Sequence, residues 1–345
     1  MDKFMSMKQV AEFSPVSNER LFSASHEEIL EGATTDVYFV KTAEILSHFG
    51  KEDINVTAEI FSRGSGIVCG IDEARRMLMG SGVEVEALAE GEEFAVKEVV
   101  MRLRGSYSKF GIYETALLGM LASSSGWATA ARECKQAAKE KSVLCFGARH
   151  VHPAVAPVME RAAVIGGADG ASCILGAKLA GIEPSGTVPH AVILIIGDTL
   201  KVAQAYDEIM DADSARIILV DTFKDEAEES LRIAHAMKDR LAGIRLDTPS
   251  ERGGVTTGMV AEIRARLDQA GFNHVKIFIS GGLTPQRIID LSSVGADAFG
   301  VGSFISGASA IDMTMDIKEI DGVAIAKRGR IPGITPNPKL KKLHI

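Results

Sequence analysis

No two of the four cysteines, Cys69, Cys134, Cys145 and Cys173, form a C-x-x-C pair. A zinc ribbon is therefore not expected, and a disulfide framework is not indicated in a chain of 345 residues. They read as reduced, mostly buried thiols of a cytoplasmic protein. A basic excess is also missing. The 38 Lys and Arg against 46 Asp and Glu leave a net charge of −8, which argues against a nucleic-acid partner. Long apolar runs are absent too. The longest strongly apolar stretch, Ala191 to Gly197, is far too short to span a bilayer, so no membrane partner is expected. Met1 to Phe13 has no signal-peptide core. No G-x-G-x-x-G follows a first strand, which counts against a dinucleotide-binding sheet.

What is present is an ordinary globular composition, 46% apolar and 24% charged, long enough for two structural domains. From Asp36 to Gly105 the pattern is β-rich. Val56–Cys69 and Val83–Leu103 read as strands, and Ile71–Met79 as a short helix. Tyr107–Lys139 is helical, with a break expected at Ser123-Ser124-Ser125-Gly126. From Val143 onward, strand-like runs (143–146, 192–196, 217–220, 244–246, 276–279, 298–301) alternate with helix-like segments. That rhythm implies a parallel sheet with helices outside, a closed or incomplete TIM-like α/β barrel. After Asp312 strand character returns at Met313–Ile320 and Val323–Lys327. Residues 1–105 are thus expected to form an α+β domain completed by 311–345, with 106–310 forming the helical lead-in and barrel. The stretch from Pro332 to Ile345 reads as a loosely ordered tail.

Two glycine loops close the barrel pattern: Ser280-Gly281-Gly282, and Gly300-Val301-Gly302-Ser303. Each follows an apolar run, and a helix lies between them. Glycine lets backbone N–H groups approach a ligand, and the last two strands of a parallel barrel use such loops to hold a phosphate. The other strand ends are polar. The first is followed by Phe146-Gly147-Ala148-Arg149-His150-Val151-His152, the second by Gly197-Asp198, the third by Asp221-Thr222. In Ile244-Arg245-Leu246-Asp247, alternation sends Arg245 and Asp247 to one face and Ile244 and Leu246 to the other. Helices cover the outside of a barrel, so the charged pair faces inward, where barrel active sites lie; a structural ion pair is the competing reading. His150, His152 and His190 fit no standard zinc spacing. Asp198, Asp221 and Asp247 suit Mg²⁺ around a pyrophosphate better. Thr35-Asp36-Val37-Tyr38 reads equally as a helix cap with a packing Tyr or as a functional segment.

Taken in order, these blocks, together with Gly186-Thr187-Val188-Pro189-His190, resemble the nicotinate phosphoribosyltransferase family, especially its shorter archaeal-type branch, from about Thr34 to Ser303. The resemblance implies transfer of phosphoribosyl from phosphoribosyl pyrophosphate to nicotinate in NAD biosynthesis, with Mg²⁺ and ATP as cofactors. It implies a homodimer or higher homo-oligomer with a shared site, Tyr38 reaching in from a neighbouring subunit. Tyr38 and Phe146 would sandwich the pyridine ring. Arg149 and Arg245 would hold the carboxylate and pyrophosphate. Asp247 would contact the ribose, Asp221, Asp198 and Thr222 would position substrate, and Asp221 and Asp247 would bear Mg²⁺. His190 falls where the family's phosphorylated His lies. Ser280, Gly281, Gly282, Gly300, Gly302 and Ser303 would bind the 5′-phosphate. The resemblance departs after Arg245-Leu246-Asp247, where Glu251 and Arg252 are expected on a mobile loop above the site, and in having no cysteine beyond Cys173. Quinolinate phosphoribosyltransferase is the enzymatic rival; its dicarboxylate calls for a denser Arg/Lys cluster than Arg149 with His150 and His152. A non-catalytic binding homologue is the alternative of another class.

Overall fold

A computed structural model describes residues 4–14, 20–212 and 214–344. The chain divides into two compact units, one of residues 1–129 and 309–345, the other of residues 130–308.

The first unit carries α1 (Met7–Glu12), α2 (His26–Leu30), α3 (Val37–His48), β1 (Asn55–Ser62), β2 (Gly66–Ile67), α4 (Ile71–Met77), β3 (Glu84–Ala87), β4 (Glu93–Phe94), β5 (Val99–Ser106) and the start of α5 (Glu114–Ala138). The boundary falls inside α5 rather than before Tyr107, because Leu117 and Leu121 of this helix belong to the first unit's core. No break interrupts α5 at Ser123–Gly126. Ser125 instead turns its hydroxyl onto the Cys69 amide at 3.1 Å. A side chain at Gly126 would meet the Ser309 carbonyl at 2.3 Å. The small residues let the backbones pack closely and do not end the helix.

The second unit continues β6 (Ser142–Cys145), α6 (Ala156–Gly166), β7 (Gly170–Ala171), α7 (Ile174–Leu179), α8 (His190–Ile196), α9 (Thr199–Ile209), β8 (Ile217–Leu219), α10 (Glu226–Met237), β9 (Gly243–Leu246), α11 (Thr257–Gln269), β10 (Lys276–Ser280), α12 (Pro285–Ser292), β11 (Ala298–Val301) and α13 (Ser303–Ser306). Its strands form one parallel sheet in the order β7-β6-β11-β10-β9-β8. That is a TIM-like wall, left open between β7 and β8. The opening falls where the sequence places a strand at 192–196. That segment is the helix α8, ended by Gly197 at φ +84°. An all-apolar run of seven has no period to separate helix from strand.

The chain then returns to the first unit with β12 (Met313–Ile320), β13 (Val323–Ala324) and β14 (Lys341–Leu343), giving a sheet ordered β13-β12-β1-β5-β3-β14. Val56, Ala58 and Ile60 of β1 are buried in the core. On the opposite face, Glu59, Arg102 and Glu86 lie side by side across three strands. Arg102 donates to Glu59 at 2.9 Å, to Glu86 at 2.8 Å and to the Thr335 carbonyl at 2.7 Å, and the Thr335 amide returns to Glu59 at 3.0 Å. Lys318 reaches the Ile331 carbonyl at 2.7 Å. The tail expected to be loose is therefore held over the sheet and ends as a paired strand.

Candidate functional site

Every barrel strand of the second unit points its C-terminal end at one rim, and the polar blocks of the sequence sit there. Arg245 lies on β9 and Asp247 just past it, and their side chains meet at 3.4 Å. Ile244 and Leu246, on the other face, are fully buried. The expected alternation holds. Ser280, the last residue of β10, ties the pair together: it accepts from Arg245 Nε at 2.9 Å and donates to Asp247 Oδ1 at 2.8 Å. Arg245 Nη1 also donates to Thr187 at 2.8 Å, and its guanidinium lies over the Phe146 ring at 5.2 Å.

Asp221, two residues past β8, has a side chain with no exposed surface. One oxygen accepts the Asp247 amide at 2.8 Å. The other, Oδ1, is buried without a hydrogen-bond partner among the described residues. Burial pushes this carboxyl above its usual range, against the Asp247 amide and the nearby His190. Burial likewise lowers Arg245, while Asp247 and Asp221 support its charge and Arg149 opposes it. His190 opens α8, with Nδ1 3.0 Å from the Thr222 hydroxyl and Nε2 3.7 and 3.9 Å from Asp221 and Asp247. One connected group thus joins Arg245, Asp247, Ser280, Asp221, His190, Thr222 and Thr187.

Phe146 follows β6 and stacks on Phe278 at 5.9 Å. A side chain on Gly300 would strike the Phe146 ring at 2.5 Å, and one on Gly302 would strike His150 at 2.7 Å. Those two glycines make room for neighbouring rings. Gly281 and Gly282, at φ +90° and +58°, are the pair whose backbone itself calls for glycine. Ser303 opens α13 and is exposed. Arg149 is exposed on a single turn of 3₁₀ helix, Ala148–His150, close enough to Arg245 to act on its charge.

Residues 36–125 match the family model "Quinolinate phosphoribosyl transferase, N-terminal domain", and residues 127–316 match that for the C-terminal domain. The chain belongs to the quinolinate phosphoribosyltransferase family. A crystal structure of nicotinate-nucleotide pyrophosphorylase from Pyrococcus furiosus is 44% identical, covers 92% of this chain and 82% of its own, and superposes with a TM-score of 0.87. Among curated relatives, the nicotinate phosphoribosyltransferase pncB1 of Mycobacterium tuberculosis is 28% identical over 71% of this chain. A probable nicotinate-nucleotide pyrophosphorylase [carboxylating] of Archaeoglobus fulgidus is 24% identical over 76% of this chain and 95% of its own. The chain spans 55% of the length of the Mycobacterium relative. The family matches bear out the phosphoribosyltransferase resemblance at this level; the nicotinate member of it is a narrower reading.

Other expected positions have partners that the local sequence pattern does not show. Asp198 follows a helix, not a strand. It caps α9 through the Leu200 and Lys201 amides at 2.7 and 3.1 Å and pairs with Arg232 at 3.1 Å, which holds its carboxyl below the usual range. Ser280 is 2% exposed, and its hydroxyl bonds to both Arg245 and Asp247 and so orders that pair. Arg252 pairs with Glu226 at 3.0 Å and Asp225 at 3.5 Å, and Ser250–Arg252 form a 3₁₀ turn within the loop after β9. His152 accepts the Ala154 amide at 3.2 Å and completes a local turn. In the first unit, Tyr38 lies on α3, 56% exposed, with its ring tilted on Phe39 at 4.3 Å. Thr187, inside Gly186–His190, carries no local mark of its bond to Arg245. Glu160 of α6, fully buried and accepting the Ala148 amide at 3.2 Å, has as its only sequence signal a charge on an apolar helix face.

Among the described residues, no group of three or more His, Cys, Asp and Glu side chains is placed to hold a metal. No helix among them is long and apolar enough to cross a membrane, and no disulfide joins any of the four cysteines among them.

Proposed function

We propose that the protein transfers the phosphoribosyl group of phosphoribosyl pyrophosphate to the ring nitrogen of nicotinate, releasing pyrophosphate, in NAD biosynthesis. The observation that carries this is the Arg245–Ser280–Asp247 triad with Asp221 at its back. Breaking the bond to a pyrophosphate leaving group develops positive charge on the ribose and negative charge on the departing oxygens. Fixed carboxylates answer the first and fixed guanidinium groups the second. Asp247 faces the ribose and Arg245 the leaving group or the acceptor carboxylate. The acceptor nitrogen carries no proton, so a general base is not required. Phe146 offers a flat face to the pyridine ring, and Arg149 its charge to the carboxylate. Gly281 and Gly282, with Gly300, Gly302 and Ser303, shape the 5′-phosphate loops. Tyr38 closes over the acceptor ring of a neighbouring copy.

The donor set fits Mg²⁺ of the kind that keeps most of its waters. Asp221 Oδ1 is a buried carboxylate oxygen in need of a partner, and Asp247 stands beside it. Bound there, Mg²⁺ would neutralise charge on the leaving pyrophosphate. His190 is proposed to take a phosphate from ATP in the coupled reaction, Thr222 setting its ring.

A second reading is quinolinate as acceptor. It is favoured by the family description and by the name of the 44%-identical structure. Two cations, Arg245 over Phe146 and Arg149 near Arg245, match one carboxylate and one pyrophosphate better than an extra carboxylate. Product analysis by mass spectrometry with nicotinate, nicotinamide or quinolinate, with and without ATP, tests the assignment. Nicotinate turnover at least ten-fold faster than that of quinolinate is expected, and preference for quinolinate overturns it. Tight phosphoribosyl pyrophosphate binding with no product from any acceptor would mark a binding homologue. In His190→Ala, ATP stimulation should vanish while basal turnover persists; equal loss of both removes the phosphohistidine role.

A further inference from the structure

We infer that Glu160 is a positioning residue that sets Arg149 and thereby the affinity for the acceptor carboxylate. This rests on the proposed role of Arg149 at the acceptor. Glu160 lies on α6 and is 0% exposed. Its Oε1 accepts the Ala148 amide at 3.2 Å and the Ser172 hydroxyl at 2.8 Å, and its Oε2 accepts the Cys173 amide at 2.5 Å. The first donor belongs to the loop after β6 and the other two to the loop after β7. One carboxylate therefore fastens two adjacent strand ends at the site rim.

A carboxylate without exposed surface is costly unless donors surround it. Here all three donors come from loop groups that have no sheet or helix partner among the described residues. Ala148 begins the single 3₁₀ turn that presents Arg149 and His150, and His150 Nδ1 lies 3.1 Å from Ser306 beside the second glycine loop. The turn itself has no side-chain cap. Gly147 lets α6 lie against the loop after β6, and Gly176 lets it lie against α7. A side chain at the first would meet Met159 at 2.8 Å, and one at the second would meet Glu160 itself at 3.1 Å. Glu160 touches no reacting atom in this arrangement. Its effect reaches the acceptor only through the aim of Arg149.

The test is steady-state kinetics of Glu160→Gln, which keeps volume and one acceptor oxygen but turns an amide N–H₂ toward a donor. The KM for nicotinate should rise about ten-fold, equivalent to about 1.4 kcal/mol, with kcat and the KM for phosphoribosyl pyrophosphate changed less than two-fold. Amide hydrogen exchange of peptides covering Ala148 and Cys173 should quicken, while the peptide covering β9 stays protected. Glu160→Asp, which keeps the charge but shortens the reach, should fall between. An unchanged nicotinate KM, or a fall in kcat alone, overturns the inference. Arg149→Met is measured in parallel. If it leaves the nicotinate KM unchanged, the acceptor role of Arg149 fails; if it raises that KM while Glu160→Gln does not, only the positioning role fails.

Discussion

Arg245 and Asp247 meet at 3.4 Å on one face of β9, and Ser280 from the neighbouring strand bonds to both. An arginine and a carboxylate two residues apart on a strand share a face by geometry alone. What makes the pair a site is the third residue and the buried Asp221 behind it, which together fix both groups before a ligand arrives.

Asp247→Asn should lower kcat by about 10² to 10³, the usual cost of removing one preorganised electrostatic partner of a transition state. The amide can still accept from Ser280, so the melting temperature should stay within a few degrees. Near-normal turnover in the folded variant would show that Asp247 only aligns Arg245.

Gly300→Ala tests whether the second loop is glycine for packing. The added carbon would lie 2.5 Å from the Phe146 ring, so the ring must move, at a cost of about 1–3 kcal/mol. The nicotinate KM should rise about ten-fold, and near-ultraviolet circular dichroism should report the displaced aromatic. If instead the KM for phosphoribosyl pyrophosphate rises and that of nicotinate does not, the glycine serves the phosphate.

The parts legible in the sequence were those with a period or a fixed turn. Ile244–Asp247 alternates, Gly281-Gly282 needs positive φ, and the helices of the barrel carry their own caps, such as Thr256 and Thr284. Other parts depended on neighbours that the local pattern does not contain. Residues 192–196 have no polar residue to reveal a period, so the local pattern does not separate helix from strand. Residues 170–171 are too short a strand to show any period. The cap that Asp198 makes and its pairing with Arg232, thirty-four residues on, are invisible in Gly197-Asp198 alone. The tail looked loose because Pro and Lys dominate it, and its anchors, Glu59 and Arg102, lie more than two hundred residues earlier.

Those anchors give a stability prediction. In Arg102→Met, Glu59 keeps the Thr335 amide but loses its cation while only 1% exposed. Removing one partner of a buried pair costs about 3–5 kcal/mol. Chemical denaturation should show a loss of that size, and Glu59→Met added to Arg102→Met should recover most of it. A loss under about 1 kcal/mol in the single variant would mean that the pair is effectively solvated.

Glu114, at the start of α5, carries a pH prediction. Burial raises its carboxyl to about 7 from an ordinary 4.5; Asp316 adds to the rise and Lys327 opposes it. A raised carboxyl binds its proton more tightly in the folded state. Between pH 4.5 and 7 the folded protein keeps a proton that the unfolded chain has lost, so stability falls as pH rises through that window. Above it the ionised Glu114 is a standing cost, on the order of 1–2 kcal/mol once partial solvent exposure is allowed for. Glu114→Gln removes the charge at every pH. The variant should match the wild type at pH 4.5 and melt a few degrees higher at pH 8.5. Differential scanning calorimetry across that range decides it, and a variant less stable than the wild type at pH 8.5 would show that the carboxylate is held by a favourable partner.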